Sequence, residues 1–177
     1  MKTPRVAWHL VRLALASGLL AGAMTTPAAA QDRPGPSVEF TAGWVGFPDD
    51  GIVSETLAGG AARWQLLPRI SIGPEIIYID GKKHSHLAVT GNVTFDTLAP
   101  ANGRPAQVTP FLVVGGGLFQ TRESFFTGTF TSSEGAFTAG GGLRALVGNR
   151  VTVGVDARVG WELHLRVAGL IGLRFRR

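Results

Sequence analysis

The stretch RVTVGVDARVGWELHLRVAGLIGLRF, residues 150–175, decides the fold. From Val151 to Trp161 every odd position is apolar, whereas the even positions between them are small, polar or charged. The chain then turns near His164 and repeats the alternation up to Phe175. Period-two alternation predicts strands whose two faces meet different surroundings. Each run has about the ten residues that a tilted strand needs to cross a bilayer, so this stretch predicts two transmembrane β-strands.

The same alternation recurs in earlier parts of the chain. It is found at about residues 37–47, 55–66, 70–79, 86–96, 108–120 and 135–147. The segments are separated by short connections rich in Gly, Pro, Asn and Asp, which make consecutive strands antiparallel neighbours. We therefore predict an all-β domain over residues 37–177, an eight-stranded antiparallel up-and-down transmembrane β-barrel. A barrel of this size is filled by its own side chains, so we expect no wide pore.

The first thirty residues predict a secretory signal peptide, and residues 31–36 form a short lead. Basic residues begin the segment, an apolar run follows, and Ala28 and Ala30 provide an A-x-A cleavage site. Cleavage there leaves Gln31 first, with 14 basic against 12 acidic residues, a net charge of +2. Export and this low charge argue against a nucleic-acid partner. The chain has no cysteine, so backbone pairing and packing must hold the exported domain.

The aromatic residues of the apolar face indicate which side meets lipid. If the first strand starts in the periplasm, they fall into a ring near each rim, as a bilayer selects. The lower ring holds Phe40, Trp64, Phe95 and Phe175, and the upper ring holds Tyr78, Phe137 and Trp161. A soluble periplasmic lipocalin-like barrel has the same periodicity with its apolar side inward, and it stays an alternative.

The opposite face would line the lumen and carries charges of both signs. These residues are Glu39, Arg63, Glu75, Arg144, Asp156, Arg158 and Arg166. A buried charge without a partner is very costly. We therefore predict that these side chains form an ion-pair network inside the barrel.

The chain after the signal peptide resembles the small bacterial outer-membrane β-barrel proteins, the group of the OmpA transmembrane domain and OmpX. The resemblance rests on the signal peptide, the alternating segments and the runs PFLVVGGGL (110–118), FTAGGGLR (137–144) and VAGLIGLRF (167–175). It implies residence in the outer membrane of a Gram-negative bacterium and contact with outer-membrane lipid. It also implies insertion by the barrel assembly machinery, which recognises a C-terminal strand ending in an aromatic residue. Here Arg176 and Arg177 follow that aromatic residue, which departs from the family pattern.

His84-Ser85-His86, with Asp80 nearby, is the one cluster that combines nucleophile and base types. Some barrels of the resembled group are lipid A-modifying enzymes with a His/Ser pair, which keeps that activity as an alternative. Nucleophilic catalysis needs the base within hydrogen-bond reach of the hydroxyl, yet alternation sends Ser85 to the face opposite both histidines. A metal held by His84, His86 and Asp80 would lack a fourth ligand. We therefore predict no catalytic residue, no metal site and no cofactor.

Residues 121–133 are rich in Thr, Ser and Phe and predict a longer extracellular loop. Exposed aromatic residues in a loop suggest a contact surface, here Phe125, Phe126 and Phe130. The prediction for function is a non-enzymatic outer-membrane protein with a structural, adhesive or binding role through its loops. The sequence identifies no extracellular ligand.

Overall fold

The structure, a computed structural model, describes residues 35–49, 51–81, 84–98, 107–125, 128–160 and 164–175. The expected signal peptide and residues 31–34 of the lead lie outside these ranges. The strands are β1 (Ser37–Asp49), β2 (Gly51–Leu67), β3 (Ile70–Asp80), β4 (His84–Asp96), β5 (Val108–Phe125), β6 (Gly128–Val147), β7 (Val151–Gly160) and β8 (Leu165–Arg174). Within the described ranges, no helix is long and apolar enough to cross a membrane.

The strands form one closed antiparallel barrel in sequence order. Each strand pairs with the next along the chain, and β1 closes the barrel by pairing with β8 from Ser37↔Arg174 to Gly46↔Leu165. Closure satisfies the backbone hydrogen bonds of both terminal strands, which an open sheet would leave as free edges. The predicted eight-stranded up-and-down barrel is confirmed.

The barrel is apolar outside, and its buried polar and charged side chains lie inside. Ile76, Leu118 and Val155 are each more than half exposed on the outer face, and large hydrophobic residues of every strand share that face. The buried set contains glutamate, aspartate and arginine, which soluble proteins keep at their surface. A continuous apolar exterior of this extent far exceeds the patches that a soluble monomer exposes. The outer face therefore meets lipid, and the lipocalin-like alternative, which needs the apolar side inward, is wrong.

The two ends of the barrel differ in their connections. At the hairpin end, β1–β2, β3–β4, β5–β6 and β7–β8 are joined. At the terminal end lie the start of β1, the end of β8 and the other connections. Five strands have 10 to 13 residues, whereas β2 has 17, β5 has 18 and β6 has 20. The β5–β6 pair extends far beyond β7 at the hairpin end.

The prediction of a loop at residues 121–133 is wrong. The β5–β6 ladder continues without a break from Val108↔Ala145 to Phe125↔Gly128, so nearly all of this segment is a two-stranded hairpin. Threonine and phenylalanine favour extended backbone, and cross-strand pairs of such residues stabilise a hairpin. Polar composition alone suggested a loop, but β-propensity and continuous pairing decide the conformation.

Candidate functional site in the barrel interior

Charged side chains fill the interior at three levels along the barrel axis. The terminal-end network consists of Glu39, Arg63, Asp96 and Arg144. The central network consists of Glu75, Asp156, Arg158 and Arg166. The histidine cluster, toward the hairpin end, consists of Glu55, His84 and His86. Between the central network and the histidine cluster lies an apolar layer built around Val45, Leu57, Ile77, Ile79, Phe119 and Ala168.

The terminal-end network joins strands that are distant in sequence. Glu39 of β1 forms ion pairs with two guanidinium groups. Its Oε2 lies 2.8 Å from Nε of Arg63, and its Oε1 lies 3.4 Å from Nε of Arg144. Nη1 of Arg144 lies 3.7 Å from Oδ1 of Asp96. The Arg144 guanidinium also lies 3.8 Å from the centroid of the Phe111 ring, in cation–π geometry. Two carboxylates of this network thus face two arginines, so the formal charges of its four members balance.

The central network spans the lumen from one wall to the other. Glu75 projects from β3, and its Oε2 and Oε1 lie 2.8 Å from Nη1 of Arg158 and 2.8 Å from Nη2 of Arg166. Arg158 and Arg166 are Cα partners on β7 and β8, so two like charges sit side by side. Asp156 completes the balance, with Oδ2 2.6 Å from Nη2 of Arg158 and 3.2 Å from Nη2 of Arg166. Asn92 adds a hydrogen bond to Glu75 at 3.0 Å.

Glycines of β6 make room for this network. A Cβ atom on Gly140 would lie 2.9 Å from Cγ of Arg158, and one on Gly142 would lie 2.9 Å from both Cα of Asp156 and Cζ of Phe111. Separations this short are steric conflicts with the backbone and with side chains that are already packed. Gly140 and Gly142 are therefore explained by the close approach of the β7 backbone and of the packed side chains of Arg158 and Phe111.

The structure brings the seven predicted lumen residues into the interior and divides them between two networks. Glu39, Arg63 and Arg144 join the terminal-end network, and the other four form the central network. Sequence reasoning missed Asp96, Asn92 and Thr94, which accepts a hydrogen bond from Arg63. All three are even-numbered residues of β4, the set that faces inward. The same alternation could therefore have predicted that they line the lumen.

The histidine cluster brings together residues that the sequence did not connect. His84 and His86 point inward, while Ser85 belongs to the outward set of β4 and the Asp80 side chain is exposed. Glu55 of β2 takes the place expected for Asp80, with Oε1 2.5 Å from Nε2 of His84 and Oε2 3.8 Å from Nε2 of His86. Glu55 and Arg63 are both odd-numbered residues of β2, so the alternation could have predicted that Glu55 also faces inward. The serine is thus on the wrong face to be activated by either histidine.

Similar architecture occurs in solved structures. They include Neisserial surface protein A (TM-score 0.68, 10% identity), the attachment invasion locus protein Ail of Yersinia pestis (0.57, 13%) and the outer membrane protein OprG of Pseudomonas aeruginosa (0.50, 9%). The alignments cover 79%, 81% and 83% of this chain and 97%, 99% and 99% of those chains, respectively. No protein-family model and no curated protein matches the chain. The chain has the fold of the small bacterial outer-membrane β-barrels.

The predicted aromatic girdle lies on the lipid-facing side of this outer-membrane barrel. The described members are exposed to between 40% and 55%: Phe40, Trp64, Tyr78, Phe95, Phe137 and Phe175. Trp64 and Phe95 lie close to the terminal-end limits of β2 and β4. Tyr78 lies near the hairpin-end limit of β3, and Phe137 lies one residue beyond the pair Thr138↔Gly160 that ends β7. Trp161 lies outside the described residues.

The aromatic residues expected at an extracellular contact surface belong to the β5–β6 hairpin. Phe130 lies on β6 and is 62% exposed. Phe125 is the last residue of β5, and it pairs with Gly128 across the hairpin. The side chain of Phe125 and the whole of Phe126 lie outside the described part of the structure.

Proposed function

We propose that this protein is a non-enzymatic resident of the outer membrane of a Gram-negative bacterium that binds a surface partner through the β5–β6 hairpin. The observation that carries the proposal is the length of β6. Its pairing with β7 starts only at Thr138↔Gly160, whereas β6 itself begins at Gly128. Ten residues, Gly128–Phe137, therefore extend beyond the last residue of β7.

This extension offers an edge for strand addition. The six residues farthest from β7, Gly128–Ser133, present an edge of roughly 20 Å at about 3.3 Å per residue. Within the described residues, no strand pairs with the β7 side of Gly128–Ser133, while the other side is held by β5. An unpaired edge can accept an extended polypeptide through main-chain hydrogen bonds. Phe130 adds an exposed aromatic side chain to the same strand.

The interior supports binding over transport. Both charge networks are buried and reach across the lumen, with Arg158 and Glu75 making contact between opposite walls. The described cavities include two of about 30 Å³ each, room for water molecules and for no larger solute. The outward position of Ser85 gives no support to a lipid-modifying activity. Ail, one of the compared barrels, is by name an attachment protein.

Biogenesis forms part of the same proposal. Residues 1–30 would direct export, and the barrel assembly machinery would insert the domain with β8 as the recognised C-terminal strand. Phe175, which follows β8 and is exposed, would be the aromatic residue of that signal, and Arg176 and Arg177 after it depart from the family pattern.

The test is a hairpin deletion that preserves the barrel. Replacing residues 122–131 by Asn-Gly leaves the pair Thr121↔Ser132 flanking a two-residue turn of the type that hairpins favour. Bacteria expressing either form would be tested for adhesion to immobilised extracellular-matrix proteins. We expect the shortened form to insert normally, judged by its different gel mobility with and without boiling, and to lose adhesion. Phe130→Ala should weaken adhesion, while Val53→Ala, an exposed residue of the β1–β2 hairpin, should not.

Two results would contradict the proposal. One is adhesion of the shortened form at the full level of the intact protein. The other is the absence, for the intact protein, of any adhesion above that of bacteria without it.

A further inference from the structure

Among the described residues, the histidine cluster differs from the two interior charge networks in having no guanidinium group. Glu39, Glu75 and Asp156 each lie within 3.5 Å of at least one arginine nitrogen. Glu55 has a side chain only 2% exposed, and within the described residues its ion-pair contacts are to imidazole nitrogens alone. Neither of its oxygens accepts a hydrogen bond of good geometry there. A buried carboxylate in this state needs a cation, because removal from water without compensation is costly.

The donor atoms around Glu55 are those of a transition-metal site. One oxygen of Glu55 and one ring nitrogen each of His84 and His86 lie within 4.8 Å of one another. Two imidazoles and one carboxylate are a ligand set that zinc uses, with a water in the fourth position. In a tetrahedral site with bonds of about 2.0–2.1 Å, neighbouring ligand atoms are roughly 3.4 Å apart. Small rotations of these side chains are therefore enough to bring all three to one ion.

Glutamate and histidine can approach each other at this site because Gly81 has no side chain. Gly81 lies between Glu55 and His84 across the β2–β3–β4 surface, and its amide donates a hydrogen bond to the carbonyl oxygen of His84 at 3.1 Å. A Cβ atom at Gly81 would lie 2.9 Å from both Cδ of Glu55 and Nε2 of His84. Glycine at this position is thus what allows the carboxylate and the imidazole to meet.

His86 is oriented by groups on three sides. Its Nδ1 lies 2.9 Å from Oγ1 of Thr121, and Phe47 and Phe119 place their ring centroids 5.3 and 5.0 Å from its own. When Nδ1 donates to the threonine hydroxyl, Nε2 keeps its lone pair on the side of Glu55. Metal-binding histidines generally show this arrangement, because a hydrogen bond from the second nitrogen fixes the tautomer and the ring orientation.

We infer that Glu55, His84 and His86 form a site for one divalent transition-metal ion, with zinc as the ion that suits two imidazoles and a carboxylate. The ion would neutralise the buried carboxylate and connect β2 to β4 at the hairpin end. The inference does not depend on the partner proposed for the β5–β6 hairpin, since none of the three ligands lies on that hairpin.

The test uses the full chain without signal peptide or histidine tag, purified in zwitterionic detergent, stripped with a chelator and titrated with zinc chloride by calorimetry. We expect one zinc per barrel. Glu55→Gln, His84→Asn and His86→Gln should each weaken binding by about tenfold or more, and Thr121→Val by about tenfold through its outer-shell contact. Asp80→Asn is the matched control, since this exposed carboxylate at the same end should not affect binding. X-ray absorption of the zinc form should show imidazole nitrogen ligands.

His84 is 32% exposed, so its substitution keeps the test decisive if a change at the fully buried Glu55 prevents folding. Absence of stoichiometric zinc binding would overturn the inference. An equal loss of affinity in Asp80→Asn and His84→Asn would overturn it as well, as would a zinc spectrum with only water-like oxygen ligands.

Discussion

Replacing Glu75 by glutamine tests whether the central network stabilises the barrel. Glutamine keeps the shape of the side chain but removes its charge. Asp156 then faces two guanidinium groups alone, and the network changes from neutral to a charge of +1. Arg158 and Arg166, which are Cα partners, lose the carboxylate that bridges them across the lumen.

The expected loss of unfolding free energy in Glu75→Gln follows from the burial of Glu75 and its distances to the two arginines. Glu75 makes two contacts of 2.8 Å with arginines, and all three side chains are at most 7% exposed. Removing one partner of a buried ion pair costs about 3–5 kcal/mol, because an uncompensated charge remains. Glutamine can still accept one hydrogen bond through its amide oxygen, so we expect the lower end, about 3 kcal/mol. A loss of about 3 kcal/mol lowers the folding equilibrium constant roughly a hundredfold.

The assay is equilibrium unfolding by urea in phospholipid vesicles, followed by tryptophan fluorescence and by gel mobility of unheated samples. A double variant, Glu75→Gln with Arg166→Gln, restores electrical balance because one carboxylate then faces one arginine. It should therefore be more stable than Glu75→Gln alone. Asp96→Asn is the matched control. Its side chain is 23% exposed and its nearest guanidinium nitrogen is 3.7 Å away, so its loss should stay below about 1 kcal/mol.

A free energy of unfolding for Glu75→Gln within about 0.5 kcal/mol of the unmodified protein would refute this reasoning, because ordinary surface changes have effects of that size. Equal losses for Glu75→Gln and Asp96→Asn would show that contact distance and burial do not set the cost. A double variant no more stable than the single one would exclude charge balance as the cause.

Three further predictions concern the lipid face, the glycines and the N-terminus. Val155→Arg, in the middle of the lipid-facing side of β7, should lower the unfolding free energy in vesicles by about 2–4 kcal/mol. Leu173→Arg, near the terminal end of β8, should lower it by less. Equal and negligible effects of the two substitutions would contradict lipid contact. Gly142→Val should destabilise the barrel by about 1–3 kcal/mol through overpacking, while Gly116→Val should be tolerated because the nearest atom to an added Cβ is 3.7 Å away; the same unfolding assay compares them. Mass spectrometry of the exported protein should find Gln31 at the N-terminus, and a longer chain would contradict cleavage after Ala30.

Alternation was sufficient to predict the barrel and the two faces of its strands. In β7, Asp156 and Arg158 are inward and Val155 is outward, as parity predicts. A strand has only two faces, so one assignment of lipid and lumen fixes the direction of every side chain in the ladder. For this reason, the sequence alone could predict that the charged residues of the terminal-end and central networks face inward.

Parity does not say which charges meet. Glu75 and Arg158 are 83 positions apart, and they make contact because closure of the barrel places β3 opposite β7. Glu55 meets His84 only in the register that puts Gly81 between them. Register and closure depend on all strands together, so local pattern could find the members of each network but not their pairings. The β5–β6 hairpin was missed for another reason, because Thr and Ser occur in exposed strands and in loops alike.

The balanced networks also bear on how one register is selected. The outer face meets a lipid phase that accepts any aliphatic residue, so it discriminates weakly between registers. Sliding β7 by one residue would turn Asp156 and Arg158 toward lipid and leave Glu75 and Arg166 without their partners. Each inward charge therefore penalises every register shift by an odd number of residues, even where the ion pair adds little net stability over an apolar replacement. Glu55 does not fit this account, since within the described residues no arginine on a neighbouring strand holds it in place. An arginine beside Glu55 would pair with the carboxylate permanently, whereas imidazoles leave the carboxylate able to bind a cation together with them. This difference in partners distinguishes a binding site from a structural network.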